Sequence, residues 1–240
     1  MSPPPATFAS DEPAHRWRAP SRSVATRRPD ESPRWSGRPI LVEPNDNREL
    51  VGESDLEAKA ALILMARPDC ARLFEQPAPV PYRDQEGITR RHTFDLLLVL
   101  KSGRRIAVAV AVKPKAIAEK NGLKALVTLI ARQMNPAFAD GALLMTDAMM
   151  PREDVQNGRL VHDARRLPDP ALDARVRAVA EGLNGASTIA CIVTAAGLEG
   201  HDQGFYTVAR AIGDGILVPT RRGLIDPDMT VRRAVHRGPP

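Results

Sequence analysis

The segment that most constrains the fold of this chain covers residues 105–112. Branched apolar side chains alternate with alanine along it, at Ile106, Val108, Val110 and Val112. A period of two is typical of a β-strand, and the row of valine-type side chains indicates that one face packs in a core. The turn Ser102-Gly103-Arg104 precedes this segment, and residues 89–100 form a second strand-like segment before the turn. Together they predict an antiparallel pair of strands.

The neighbouring segments extend this pair into a mixed sheet covered by helices. Residues 53–65 have the apolar spacing of a helix, and residues 115–135 have the same spacing over a longer range. Residues 73–82, which are interrupted by prolines, suit an edge strand, and residues 139–146 suit a buried strand. The order helix, three strands, helix, strand predicts an α/β fold with a mixed-sheet core at residues 51–148.

The rest of the chain divides into three parts. Residues 1–50 contain nine prolines and eight arginines with almost no periodic apolar pattern, which predicts a mostly disordered arm. Residues 149–170 contain three more prolines and predict a connector. Residues 171–235 contain three helical segments and then a short hairpin, in which residues 216–218 face residues 224–225. This order predicts a small winged-helix-like α+β domain.

Composition excludes several classes of protein for this chain. No run approaches the roughly 20 apolar residues of a membrane-spanning helix and no secretory signal is evident, so we expect a cytoplasmic protein without a membrane partner. Cys70 and Cys191 have no Cys or His at zinc-ligand spacing, which excludes a structural zinc site and a disulfide scaffold. The net charge of +5, with arginine as 28 of 34 basic residues, favours an acidic partner. Aromatic residues are only 4% of the chain, which favours duplex over single-stranded DNA.

The predicted hairpin brings chemically active residues to one end of the sheet. A loop made of Ser102-Gly103-Arg104 places Asp95 opposite Ala111, with Lys113 on the same face as Ala111. Glu57 lies on the preceding helix. Metal-dependent phosphodiesterases use carboxylates to hold Mg²⁺ and a lysine to orient the attacking water beside the scissile phosphate. The pattern therefore indicates a candidate site for cleavage of nucleic acid.

Several short motifs resemble one family in order and spacing. They are Glu53-Ser-Asp-Leu-Glu57, Glu75-Gln-Pro77, Tyr82-Arg-Asp-Gln-Glu-Gly87, Arg91-His-Thr-Phe-Asp95, Lys101-Ser-Gly103 and Val112-Lys-Pro114, with Thr26-Arg-Arg, Gly37-Arg-Pro and Asn157-Gly-Arg-Leu-Val161 on either side. As a set they are similar to the nuclease domain of TnsA-type transposase endonucleases, which belong to the PD-(D/E)xK superfamily. The resemblance covers roughly residues 20–170, and it implies a restriction-endonuclease-like fold.

The resemblance also implies roles for individual residues. Glu57 and Asp95 would bind Mg²⁺, with Mn²⁺ as a substitute, and Lys113 would be the catalytic lysine. Gln76 and Glu53 are further candidates for lining the site. The activity implied is metal-dependent cleavage of duplex DNA at the ends of a mobile element, together with a partner transposase.

The sequence departs from the family pattern at two positions. Phe94 replaces the usual proline before Asp95, which affects only the local backbone. Ala111 stands where the family has an acid or an amide, and this removes a side-chain ligand. Three functions therefore remain open: an endonuclease of a transposase, a non-catalytic DNA-binding or assembly protein with the same fold, and a nuclease of a defence or restriction system.

Each candidate site residue also has an ordinary structural interpretation. Ser54 and Glu57 have the spacing of a capping box, in which the glutamate closes the start of the helix. Asp95 could accept a hydrogen bond at a turn, and Lys113 could simply extend into solvent from a strand end.

The predicted winged-helix-like domain supplies candidate DNA contacts. Arg210 is expected to be exposed on the second helix of the turn motif, together with Thr207, and Arg221 and Arg222 are expected at the tip of the wing. Arginines at such positions contact phosphates. The alternative is a small helical domain that binds another protein.

Overall fold

The computed structural model describes residues 18–26, 38–112, 122–200 and 203–235. Within these residues the strands are β1 Ile40–Glu43, β2 Arg48–Val51, β3 Cys70–Glu75, β4 Val80–Arg83, β5 Thr89–His92, β6 Leu96–Leu100, β7 Arg105–Ala111, β8 Gly141–Thr146, β9 Ala186–Thr188, β10 Leu217–Pro219 and β11 Thr230–Arg233. The α-helices are α1 Asp55–Met65, α2 Leu123–Gln133, α3 Arg152–Arg165, α4 Pro170–Glu181, α5 Ile189–Ala195 and α6 Gly204–Gly213.

The central sheet has four strands in the order β3-β6-β7-β8. Strand β6 is antiparallel to both β3 and β7, whereas β8 is parallel to β7. Helix α1 packs on one face of this sheet, and α2 packs on the other. The predicted α/β fold with a mixed sheet is therefore confirmed.

The alternation in β7 explains why the strand is central. Ile106, Val108 and Val110 pack in the cluster that contains α1, while Ala107 and Ala109 pack in the cluster that contains α2. Large side chains fill one side, and alanines let α2 approach closely on the other. Both faces of β7 are thus covered, as expected for a strand next to a parallel neighbour.

The predicted strand at residues 89–100 is two strands. β5 pairs with β4 in a separate two-stranded sheet, and β6 joins the central sheet. The break falls at residues 93–95, where Phe94 is fully buried and packs with the α2 cluster. Burial of this ring turns the chain out of one sheet and into the other.

The prediction of a mostly disordered arm over residues 1–50 is wrong for residues 18–26 and 38–50, the part of this segment that the structure describes. β1 and β2 form a hairpin, and Leu50 is only 2% exposed in the main core. Arg48 forms a buried ion pair with Glu75, with 2.7 Å between Nη1 and Oε2. Ser23 donates a hydrogen bond to the same carboxylate, so residues 18–26 also contact the core.

The prediction of a connector at residues 149–170 is also wrong, because most of this segment is α3. The helix packs against α1 on one side and α6 on the other. Gly158 lies against the backbone of Leu62, where an added Cβ would be 2.9 Å from the carbonyl carbon. Arg165 donates hydrogen bonds to the carbonyl oxygens of Met65 and Gly213, at the ends of α1 and α6. The core and the C-terminal part therefore share one helix.

The C-terminal part contains α4, β9, α5, α6, β10 and β11 in chain order, with its own apolar cluster. Its sheet has the order β10-β11-β9 and is antiparallel. The predicted partner of residues 216–218 is wrong, since β10 pairs with β11 and residues 224–225 lie in the loop between them. The prediction that this part is winged-helix-like stays a prediction.

None of the helices in the described part of the chain is both long enough and apolar enough to cross a membrane.

Candidate functional site

Three of the predicted site positions lie at one end of the central sheet. Helix α1 packs on β3, and the chain reverses direction between them, so the first turn of α1 lies over the end of β3. Asp95 immediately precedes β6, and Ala111 is the last residue of β7. Glu57, in the first turn of α1, is therefore brought to the end of the sheet that holds Asp95 and Ala111.

Glu57 forms the capping box predicted from Ser54-x-x-Glu57. Its backbone N–H donates to Ser54 Oγ at 3.2 Å, and its carboxylate accepts hydrogen bonds from Ser54 Oγ at 2.9 Å and from the Glu53 N–H at 3.0 Å. These bonds satisfy donors at the start of α1 and fix the carboxylate in one orientation. The structural interpretation of Glu57 is confirmed. Carboxylate oxygens have further lone pairs, so it does not exclude a ligand role.

Asp95 continues the hydrogen-bond ladder beyond the end of β6. Its Oδ2 accepts from the Val110 N–H at 2.6 Å, and its carbonyl oxygen accepts from the Gln76 N–H at 2.9 Å. The side chain thus takes the place of a strand carbonyl next to β7. A short bond from a backbone donor to a carboxylate holds the side chain firmly in place.

The register of the hairpin differs from the prediction by two residues. Leu96 pairs with Val108, which places Asp95 beside Ala109 rather than Ala111. The loop is Lys101-Ser102-Gly103, because Gly103 has a φ of 84° and supplies the left-handed residue that ends a three-residue hairpin loop. A shift of two keeps Asp95 and Ala111 on the same face of the sheet.

Gln76 stands directly after β3, next to Asp95 across the sheet. It is 3% exposed and has a φ of 40°, a left-handed conformation that is unfavourable for a residue other than glycine. Its carbonyl oxygen accepts hydrogen bonds from Thr26 N–H and Oγ1, while its Nε2 has no hydrogen-bond partner among the described residues. The predicted second candidate, Glu53, contributes its backbone N–H to Glu57, as described above.

One carboxylate at this end of the sheet was missed from the sequence. Asp147 follows β8 and begins a 3₁₀ turn, Asp147–Met149. In β8, Thr146 pairs with Ala111, so Asp147 lies one residue beyond the position opposite Ala111. The signal in the sequence was an acid directly after a predicted buried strand. The carboxyl ends of the parallel strands β7 and β8 lie at the same edge of the sheet, so this acid could have been placed near Ala111.

Lys113, the predicted catalytic lysine, lies outside the described residues. The described strand ends two residues earlier at Ala111, which is partly buried. Among the described residues, no group of three or more His, Cys, Asp or Glu side chains could hold a metal ion. Glu57 and Asp95 still have the oxygen chemistry that Mg²⁺ prefers, and Mg²⁺ often uses only one or two protein carboxylates.

The expectation that Arg210 is exposed is wrong. The residue is 4% exposed, and its Nε donates to Asp173 Oδ1 at 2.8 Å. Its other nitrogens donate to the carbonyl oxygens of Ala164 and Leu167 and to Thr207 Oγ1, and Thr207 is itself buried. Helix α6 is covered by α3 and α4 on this side, so Arg210 joins helices instead of presenting a charge to DNA.

Arg221 and Arg222 are exposed in the loop between β10 and β11, as predicted. The loop is attached to α3 through Asn157, whose Nδ2 donates to the Gly223 carbonyl at 2.9 Å and whose Oδ1 accepts from the Ile225 N–H at 2.8 Å. Sequence reasoning gave Asn157 no role of its own. It fixes the loop relative to the core.

The sequence matches no protein-family model, and it matches no curated protein.

Proposed function

We propose that this chain is a TnsA-like DNA endonuclease subunit of a heteromeric transposase. It acts with a partner transposase in the cytoplasm and cleaves phosphodiester bonds at the ends of a mobile element. The proposal is supported by the placement of Asp95, the last residue of β7 and the first turn of α1, which carries Glu57, at the same end of a mixed sheet. A carboxylate on a helix and a carboxylate directly before a strand, beside the strand that leads to Lys113, are groups of the kind that a metal-dependent nuclease uses.

The chemistry is divided among these residues. Mg²⁺, when bound, stabilises the charge that develops on the scissile phosphate. Glu57 and Asp95 would hold it, and their orientations are fixed by the hydrogen bonds from Ser54 and from the Val110 N–H. Lys113 would orient the attacking water, which is the role that the resemblance gives it.

The C-terminal part would contact the phosphates of duplex DNA as a winged-helix-like domain. Since α6 is largely buried, the contact would come from Arg221 and Arg222 in the loop between β10 and β11. Replacing both by alanine should reduce the slope of log K against log salt by about one to two units, since each phosphate contact contributes about 0.9. An unchanged slope would indicate that this part binds protein.

A second candidate function is a non-catalytic DNA-binding or assembly protein. Ala111 supports it because an apolar residue occupies the position of a ligand. The capping role of Glu57 and the ladder role of Asp95 support it too, since both carboxylates contribute to the fold without a metal.

Cleavage assays on supercoiled and linear duplex DNA distinguish the two functions. We expect slow nicking, stronger in Mn²⁺ than in Mg²⁺, that Asp95→Asn and Lys113→Ala abolish. Asp95→Asn retains an oxygen for the Val110 N–H, so loss of cleavage would reflect loss of charge. Asp69→Asn is the control, because Asp69 is an exposed acid at the opposite end of β3.

Placing an acid at position 111, where the family pattern has an acid or an amide, is the complementary test. Ala111→Glu should raise both the affinity for Mn²⁺ and the rate of nicking, because it adds a third carboxylate. If this variant gains neither, even with the partner transposase present, the assembly function replaces the catalytic one.

A further inference from the structure

A two-stranded hairpin begins and ends at the end of the sheet that holds the candidate site. The chain leaves the central sheet at the end of β3, forms β4 and β5, and returns at β6 directly after Asp95. β4 and β5 are antiparallel to each other and form a separate sheet. The hairpin β4–β5 is therefore attached at both ends beside Asp95.

The two faces of this hairpin differ in chemistry. Val80 and Tyr82 pack with the α2 cluster, so their face is turned inward. Pro81 pairs with Arg91 and Arg83 pairs with Thr89, and all four of these residues are exposed. Directly opposed residues share a face, so Arg83 and Arg91 are diagonal neighbours on the outward face.

The cations of the outward face are not neutralised within the described part of the chain. Arg90, on the inward face, pairs with Asp84 at 2.6 Å between Nε and Oδ2. Neither Arg83 nor Arg91 has an ion pair or a side-chain hydrogen bond with a described residue. Diagonal neighbours on a sheet are about 7–8 Å apart, within reach of long side chains, so the two like charges repel each other. An anionic partner that contacts both would relieve this repulsion.

Helix α2 holds the hairpin in position. Gln133 Oε1 accepts from the Arg83 N–H at 2.8 Å, and Gln133 Nε2 donates to the Arg83 carbonyl oxygen at 2.9 Å. This paired contact satisfies the backbone of Arg83 at the edge of β4, leaving its side chain free to extend outward. A rigid support lowers the entropy cost of binding a ligand at Arg83 and Arg91.

We propose that the outward face of this hairpin, through Arg83 and Arg91, binds the phosphate backbone of duplex DNA beside the candidate site. This inference rests on the proposed function, since it assigns the surface that holds the substrate. Two guanidinium groups on a hairpin whose backbone is held by Gln133 suit phosphate oxygens, which they bind through charge-assisted hydrogen bonds. The contact is independent of sequence and places the scissile bond at the end of the sheet that holds Asp95.

Equilibrium binding of the full chain to a short random-sequence duplex in EDTA tests the proposal without cleavage. Replacing Arg83 and Arg91 together by alanine should reduce the slope of log K against log salt by about one to two units. The matched control is Arg90→Ala, which removes a neighbouring cation already paired with Asp84 and should leave the slope within about half a unit. A variant with lysine at both positions should keep most of the slope, because the charge remains.

The outcomes separate this inference from the function on which it rests. Wild-type binding with an unchanged slope in the double alanine variant overturns the role of the hairpin but leaves the endonuclease proposal intact. Absence of duplex binding by the wild type overturns both. Equal competition by polyglutamate would show that the face binds acidic protein, which also overturns the proposal. Loss of binding in the double lysine variant would show that binding depends on the shape of the arginine side chains and not on their charge, which would overturn the proposed phosphate contact.

Discussion

At the scale of single residues, Gly158 decides how closely two helices approach. Its Cα lies against the backbone of α1, and an added methyl group would be 2.9 Å from the carbonyl carbon and oxygen of Leu62. Those atoms belong to a helix backbone and cannot rotate away as a side chain would. The glycine therefore permits the contact that joins α3 to the core.

Substitution of Gly158 by alanine should destabilise the protein. The gain in helix propensity of about 1 kcal/mol is outweighed by overpacking, which typically costs about 1–3 kcal/mol and more against rigid backbone. Urea denaturation should show a lower midpoint with an unchanged slope. Gly141→Ala is the control, since an added Cβ there meets no atom within 4 Å. A midpoint for Gly158→Ala at or above the wild-type value would contradict the close contact.

His92 makes stability depend on pH. Its ring packs edge-on against Phe94 with 4.8 Å between centroids, and its buried Nε2 has no hydrogen-bond partner in the part of the chain that the structure describes. Burial lowers the pKa of His92 below its usual value of 6.5. The folded protein thus favours the neutral ring, while the unfolded chain takes up a proton near pH 6.5.

Stability should therefore fall as the pH drops below about 6.5, until the folded protein also binds the proton. His92→Phe removes this contribution, so the free energy of unfolding of the variant relative to wild type should increase between about pH 7.5 and 5.5. Chemical denaturation at several pH values measures the difference. A constant difference across this range, or a normal His92 pKa in an NMR titration, would show that the ring is not desolvated.

At the scale of elements, Asn157 attaches a loop to a helix. Its amide bonds to the backbone at Gly223 and Ile225, on both sides of Leu224. Sequence alone gives no sign of this, because the partners are 66 and 68 residues apart. The loop that carries Arg221 and Arg222 thereby has a fixed position relative to α3.

Asn157→Ala should loosen this loop without unfolding the protein. Loss of two hydrogen bonds should cost about 1–3 kcal/mol and should speed hydrogen exchange at the Ile225 amide. Asn157→Asp keeps the acceptor for that amide but loses the donor to Gly223, so it should protect Ile225 more than alanine does. Equal exchange at Ile225 in wild type and Asn157→Ala would mean that the loop is held by other contacts.

At the scale of the whole molecule, α3 joins the two apolar clusters on either side of it. Val155 packs with the core cluster, and an added Cβ at Gly213 of α6 would be 2.4 Å from Val161 Cγ1. Val161 and Ala164 are buried between the helices. The core at residues 51–148 is thus not closed without α3.

A chain that ends at residue 148 should therefore fold poorly, because the face of α1 that packs on α3 is exposed. A chain that ends at residue 169 keeps α3 and should unfold cooperatively at a reduced midpoint. Circular dichroism during urea denaturation compares the two fragments. Cooperative unfolding of the shorter fragment at the midpoint of the longer one would show that α3 is dispensable to the core.

Local patterns were sufficient to predict most of the central sheet. The alternation of valine and alanine in β7 is typical of a strand, and the apolar spacing of α1 and α2 is typical of helices that pack on a sheet. The capping box at Ser54 and Glu57 is equally local, since its partners are three residues apart. These features depend on neighbours in the chain, so the sequence alone determined the α/β class and the segments at the candidate site.

Contacts between distant segments determined the rest. The two-residue change of register followed from the backbone of Gly103, and burial of Phe94 divided one predicted strand into two. The sequence predicts that Arg210 is exposed. The residue is buried instead, because its guanidinium group donates hydrogen bonds to Asp173 and to two carbonyl oxygens at a helix end. The connector at residues 149–170 is predicted from three prolines, but these lie before and after the helix and leave α3 uninterrupted. The buried face of α3 is narrow and is built on Gly158, Val161 and Ala164. A helix that packs on two partners through small side chains shows little apolar periodicity of its own. This face is therefore recognisable only when α1 and α6 lie against it.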